Sequence, residues 1–117
     1  MTIIVHRIRL HEGVEPERFE NWVRDVDYAT CPELPSLLAF GVQQVVATPA
    51  EPSAADAGPV GIDGPRHYFE IIEVTSLQEF EGDMESSQFQ RLVAEFEQMA
   101  KVVDEVTGER IGDGYRA

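Results

Sequence analysis

His67-Tyr68-Phe69-Glu70-Ile71-Ile72-Glu73-Val74-Thr75 is the stretch on which the fold turns. Aromatic and β-branched side chains fill nearly every position and no Gly or Pro interrupts them, so the run reads as a strand. Ser76-Leu77-Gln78-Glu79 follows at once and has the spacing of a capping box, which starts a helix. Ser87-Gln88-Phe89-Gln90 repeats that spacing, with a short helix broken around Gly82 to Glu85 in between. From the second box, Phe89, Leu92, Val93, Phe96, Met99, Ala100 and Val103 recur at helical spacing and predict a long helix, with Gly108 suited to its C-terminal cap. The tail from Glu109 to Tyr115 then supplies a last short strand, despite Gly112 and Gly114.

Upstream of the deciding strand, Ala47 to Arg66 gathers Pro49, Pro52, Pro59, Pro65, Gly58, Gly61 and Gly64 among small and acidic residues. It reads as a long hairpin loop at about 47–66, inserted in a single domain spanning 1–117. Leu37 to Thr48 is the strand that enters it, with Leu38, Phe40, Val42 and Val46 on the more apolar parity. Cys31-Pro32-Glu33-Leu34-Pro35 reads as an irregular connector, because its two prolines oppose a regular element. Before it, Phe19, Trp22, Val23 and Val26 mark one face of a helix that opens at Pro16 and ends near Tyr28. Thr2 to Leu10 is a first strand rich in β-branched residues, and His11 to Val14 a turn.

The order β-α-β-β-α-β predicts an α+β, ferredoxin-like antiparallel sheet with helices on one face. Apolar residues at both parities of the first and third strands predict that the other face is covered by a second copy, making a homodimer. The chain has 117 residues with 43% apolar content, enough for one core. No run is long and apolar enough to span a bilayer and no signal peptide is apparent, so a soluble, cytoplasmic protein is expected. Nine basic against 22 acidic residues give a net charge of −13, which opposes nucleic acid and anionic membranes as partners. The single cysteine, Cys31, excludes an internal disulfide and a cysteine-built metal site, and reads as packing rather than as a nucleophile.

His6 lies in phase with Ile4, Ile8 and Leu10, where burial and a neighbouring carboxylate can tune an imidazole for acid–base work. The alternative is a core histidine satisfied by one hydrogen bond. Glu70 and Glu73 interrupt the deciding strand on opposite faces, and a ferredoxin-like sheet lays that strand beside the first. Glu70 is the better site candidate, whereas Glu73 fits a surface ion pair with Arg7 or Arg9. Asp25, Asp27 and Tyr28 fall where a helix C-terminus disfavours carboxylates, so Asp27 and Tyr28 can flank a pocket entrance. Trp22, Phe40 and Phe69 are candidate walls of a cavity, and Tyr115 in the Gly-Tyr-Arg tail reaches over a pocket or docks at the dimer seam. Phosphate-loop, H-E-x-x-H, G-x-S-x-G and dinucleotide motifs are all missing, which leaves acid–base chemistry without a cofactor or metal as the economical reading.

His6-Arg7-Ile8-Arg9-Leu10, Phe19-x-x-Trp22-Val23 and Asp27-Tyr28-x-x-Cys31-Pro32-x-Leu34-Pro35-Ser36 resemble the RedY-like (HapK-type) proteins. Tyr68 to Val74, Phe80-Glu81-x-Asp83-Met84 and Gly108-Glu109-Arg110-Ile111-Gly112-x-Gly114-Tyr115 extend the resemblance over nearly the whole chain except Pro49 to Pro65. It implies a dimeric α+β barrel and a place in specialised metabolism, where condensation or cyclisation in prodiginine and indole-derived pathways is attributed to such proteins. His6, Asp27, Tyr28, Cys31 and Glu70 are the family-like positions. The expected function is therefore a cofactor-independent cyclase or dehydratase acting on an indole- or pyrrole-containing intermediate. His6, Asp27 and Glu70 would be catalytic in it; Trp22, Tyr28, Phe40, Phe69 and Tyr115 would bind the substrate. A cofactor-free monooxygenase and a non-catalytic binding protein are the alternatives.

Overall fold

The computed structural model describes residues 1–46, 60–61 and 64–117. Strand β1 (Thr2–Leu10) alternates as its sequence demands, with Thr2, Ile4, Ile8 and Leu10 buried. Pro16 then opens α1 (Pro16–Trp22), its fixed φ suiting the first turn. The helix does not stop near Tyr28 as expected. It widens into a π-helical turn over Val23–Asp27, resumes as α2 (Tyr28–Thr30) and tightens into a 3-10 turn at Cys31–Glu33. The expected irregular connector is thus helical in its first half, because Pro32 stands where a turn's opening position tolerates it.

β2 (Leu37–Gln44) is shorter than the predicted Leu37 to Thr48. Its pairing shifts between Leu37 and Ala39, so Leu38 is an extra residue and 51% exposed, while Leu37 and Phe40 pack on the same apolar cluster. Simple alternation fails there because a bulge changes the phase. The expected 47–66 loop lies mostly outside the described residues, but β3 (Val60–Gly61) pairs antiparallel with β4 (Gly64–Pro65). β5 (His67–Val74) is the deciding strand, and α3 (Leu77–Met84) comes next, with Ser76 accepting a hydrogen bond from the Glu79 N–H at 3.1 Å.

α4 (Ser87–Glu97) is capped by Ser86, not by Ser87, through the Phe89 N–H at 3.2 Å. The predicted long helix ends at Glu97, and Ala100–Glu109 is instead β6, a strand. Met99, Ala100 and Val103 continue the helical spacing, but the β-branched Val102, Val103, Val106 and Thr107 favour the sheet. Gly108 therefore lies inside β6 rather than capping a helix, and no strand forms beyond Glu109.

The four long strands order as β2-β5-β1-β6, with every pairing antiparallel. That is the ferredoxin-like arrangement. Two buried clusters fill the space between sheet and helices. One joins Ile8, Leu10 and Tyr68 to Phe19, Val23 and Met99; the other joins Ile4, Ile72 and Val74 to Phe80. Each fully buried Phe or Ile of this kind contributes about 1.5–3 kcal/mol. Both clusters lie on one face of the sheet, so the other face carries the residues of opposite parity. There Glu73 pairs with Arg110 at 3.1 Å, not with Arg7 or Arg9. Among the described residues, no helix is long and apolar enough to cross a membrane.

Candidate functional site

Beside the Ile4–Ile72–Phe80 cluster lies a cavity of about 620 Å³, lined by residues of the sheet, the π turn and the last two helices. His6 sits on its sheet wall at the middle of β1, directly opposite Glu70 on β5 and Glu105 on β6. His6 Nδ1 is 2.6 Å from Glu70 Oε1, and Nε2 is 2.7 Å from Glu105 Oε2. The ladder aligns the first pair because residues facing across an antiparallel pair point to the same side. A bulge makes the second. β6 shifts register between Arg7 and Ile8, which pair with Asp104 and Val102, leaving Val103 as the extra residue. Unbroken pairing from Val102 would set Asp104 opposite His6; the bulge brings Glu105 there instead.

Burial pulls the His6 pKa down, but the hydrogen bonds and charges of Glu70 and Glu105 outweigh it, and the net shift is upward. The physical reason is plain in the geometry. A neutral imidazole offers one N–H and one lone pair, whereas two carboxylates at these distances ask for two donors. The imidazolium satisfies both. His6 is therefore not a core histidine with one hydrogen bond.

Asp27 closes the π turn and faces the same cavity. Burial, with the charge of Glu70 adding to it, pushes its carboxyl up from the ordinary range to about 7. A π turn adds one residue to the helical repeat and re-aims the side chains beyond it, a device common where function requires it. Cys31 also lines the cavity, and its thiol donates to the Asp27 carbonyl at 3.3 Å. Burial first, then the neighbouring carboxylates, push that thiol up to about 11, so it is a packing group rather than a nucleophile.

Trp22 and Phe40 line the cavity as expected, joined by Phe80, Phe89 and Phe96. The Trp22 indole N–H donates to Glu95 Oε1 at 2.8 Å, which fixes the ring in the wall. Three expected binding residues lie elsewhere. Tyr28 is outside the lining: its hydroxyl accepts from the Val42 N–H at 3.0 Å, and its ring meets the edge of Phe40, so it ties helix to sheet. Phe69 pairs with Arg7 on the opposite parity to Glu70, hence on the far face of the sheet. Tyr115 is 91% exposed in the irregular tail and does not line the cavity. Glu105 was hidden by the helical reading of its segment; the β-branched residues around it were the available signal. No trio of His, Cys, Asp or Glu side chains among the described residues is placed to hold a metal ion.

The model of the family described as REDY-like protein HapK matches residues 2–111. The crystal structure of HapK from Hahella chejuensis is 42% identical, with a TM-score of 0.79, over 100% of this chain and 99% of that one. SnoaB, a cofactor-independent oxygenase from Streptomyces nogalater, shares the fold at 12% identity and a TM-score of 0.66, covering 97% of each chain. An EthD family protein from Bacillus halodurans shares it at 9% identity and a TM-score of 0.63, covering 95% of this chain and 100% of that one. No curated protein sequence is similar enough to count as a match. A family model spanning nearly the whole chain and an end-to-end relative at 42% identity agree, and the chain belongs to the REDY-like HapK family.

Proposed function

We propose that the protein is a cofactor-independent enzyme that catalyses a dehydrative cyclisation or condensation of an indole- or pyrrole-containing intermediate. The observation that carries this reading is His6 held between Glu70 and Glu105 on the wall of an aromatic cavity that Asp27 also lines. Trp22, Phe40, Phe80, Phe89 and Phe96 offer apolar faces to a flat, aromatic molecule. His6 carries the proton transfers, with Glu70 and Asp27 assisting it. The His6 imidazolium protonates a departing hydroxyl, the C–O bond breaks with its electron pair leaving on oxygen, and water is released. The ring nucleophile attacks that carbon and gives its proton back to His6, which restores the resting state. Glu70 stabilises the charge on His6 throughout. A carboxyl with a pKa near 7, as in Asp27, holds either protonation state at neutral pH and can hydrogen-bond an oxygen of the substrate as donor.

The test is mass-spectrometric analysis of the product from a hydroxylated or carbonyl-bearing indole or pyrrole intermediate, with and without oxygen. A product lighter by one water, formed faster than in buffer under both atmospheres, is expected. An oxygenated product that disappears without oxygen would replace this reading with direct oxygenation. Saturable binding with an unchanged rate and product profile would make the protein a binder of the intermediate instead.

We further propose that the chain is a homodimer. Ile3, Val5, Phe69 and Ile71 stand on the sheet face away from the helices without being fully buried, and Val106 beside them is 62% exposed. Such a face is stabilised by a second copy.

A further inference from the structure

The two carboxylates that hold His6 are not equivalent. Glu70 comes from β5, inside the sheet between β1 and β2, and its side chain is 12% exposed. Glu105 comes from the edge strand β6, and its side chain is 59% exposed. Moving Glu70 off Nδ1 would strand a carboxylate in a nearly dry position, which is costly. Moving Glu105 off Nε2 returns it to water, where it is solvated at once. Each ring nitrogen already has an acceptor, so a substrate oxygen can reach an N–H of His6 only by taking one carboxylate's place.

We propose that Glu105 is the exchangeable partner of His6: it holds the Nε2–H until an oxygen of the substrate takes its place, while Glu70 keeps the Nδ1–H. This rests on the cavity being the reaction site, and it names Nε2 as the atom that meets the substrate. Glu105 is then a positioning residue that keeps His6 charged and correctly turned and that withdraws toward solvent when the site fills. The other groups around the imidazole do not compete for this role. Asp27 on the π turn, Cys31 on the turn beyond, Glu81 on α3, Glu97 on α4 and Lys101 on β6 line the same cavity without bonding to it.

The test uses the full-length ¹⁵N-labelled protein, with indole-3-carboxaldehyde as an aromatic probe carrying one carbonyl oxygen. In the wild type at neutral pH, both His6 ring nitrogens should carry protons. In Glu105→Gln the His6 titration should move to lower pH, and the neutral ring should keep its proton on Nδ1. In Glu70→Gln the neutral ring should keep its proton on Nε2. The probe should shift the Nε2 resonance and leave Nδ1 in place. At a pH low enough for the ring to be doubly protonated in both proteins, it should bind Glu105→Ala about threefold or more tighter than wild type, as expected when a hydrogen-bonding competitor is removed. A neutral Glu105→Gln ring protonated on Nε2, a probe that shifts Nδ1, or weaker or absent binding to Glu105→Ala at that pH would each overturn the proposal. Those outcomes are read without turnover, so they are distinguishable from a failure to form the dehydrated product.

Discussion

His6 and Asp27 both depart from their ordinary titration, and each departure has a consequence that can be measured. Replacing His6 by Ala removes the proton donor without opening the sheet, since neighbouring strands hold their ladder through backbone bonds. Turnover should fall about 10²–10⁴-fold, the usual worth of a positioned acid or base; steady-state kinetics with the dehydrating substrate checks it, and an unchanged rate would remove His6 from the mechanism. Asp27 is predicted to make the fold sensitive to alkali. Its carboxyl pKa is raised from 3.8 to about 7, so the folded state binds its proton more tightly than the unfolded chain does. The favourable contribution is complete below about pH 4 and is lost as pH rises through about 7. Asp27→Asn has no such proton to lose. It should be more stable than the wild type at pH 8 by on the order of 2–4 kcal/mol, with the gap closing by pH 4, as read by urea denaturation at both values. A gap that does not change with pH would mean that Asp27 titrates normally. His6, Asp27 and Glu70 were legible in the sequence because polar residues interrupting apolar strands and helix ends invite explanation. Glu105 was not, since it stands in a segment whose apolar residues fit helix and strand spacing alike.

The elements that gave the fold away were those whose local chemistry agreed with their surroundings. β1 and β5 are rich in β-branched and aromatic residues with no Gly or Pro inside them, and the Ser76 cap forms where its spacing predicts. The failures cluster at phase changes. The π turn at Val23–Asp27, the extra residue Leu38 in β2 and the extra residue Val103 in β6 each break a period that simple counting assumes constant. Two of these breaks shape the cavity, one delivering Asp27 and the other Glu105. Local sequence cannot reveal such a break, because the unpaired residue is chosen by the partner strand or helix. On α1, Phe19 is 1% exposed and packs on Tyr68, Trp22 and Phe96 with ring centroids at 4.9, 6.3 and 6.2 Å. It anchors the helix whose continuation carries Asp27. Phe19→Ala should cost about 3–5 kcal/mol in chemical denaturation, the range for an aromatic removed from a packed core. A loss below about 1 kcal/mol would show that the surrounding rings close the gap.

For the whole molecule, the sheet sorts its work by face. One side faces the helices and the cavity; the other offers a half-covered apolar surface. If a second copy covers it, light scattering should report about twice the 13.1 kDa of one chain, and Ile71→Glu should return the mass to that of a monomer without unfolding it. A wild-type monomer at micromolar concentration would refute the pairing. Charge also acts at this scale: a net −13 favours dispersal and sets a long-range field that added salt weakens, so any dimer should tighten as ionic strength rises. One wall residue gives the protein a further property. Trp22 is the chain's single tryptophan, and its ring lies on the cavity with its N–H fixed to Glu95. All indole emission of the apoprotein therefore comes from one place, and that place is where a ligand would arrive. For a ligand that does not itself absorb or emit as indole does, its fluorescence is a built-in optical gauge of occupancy, readable without a label or a substrate assay.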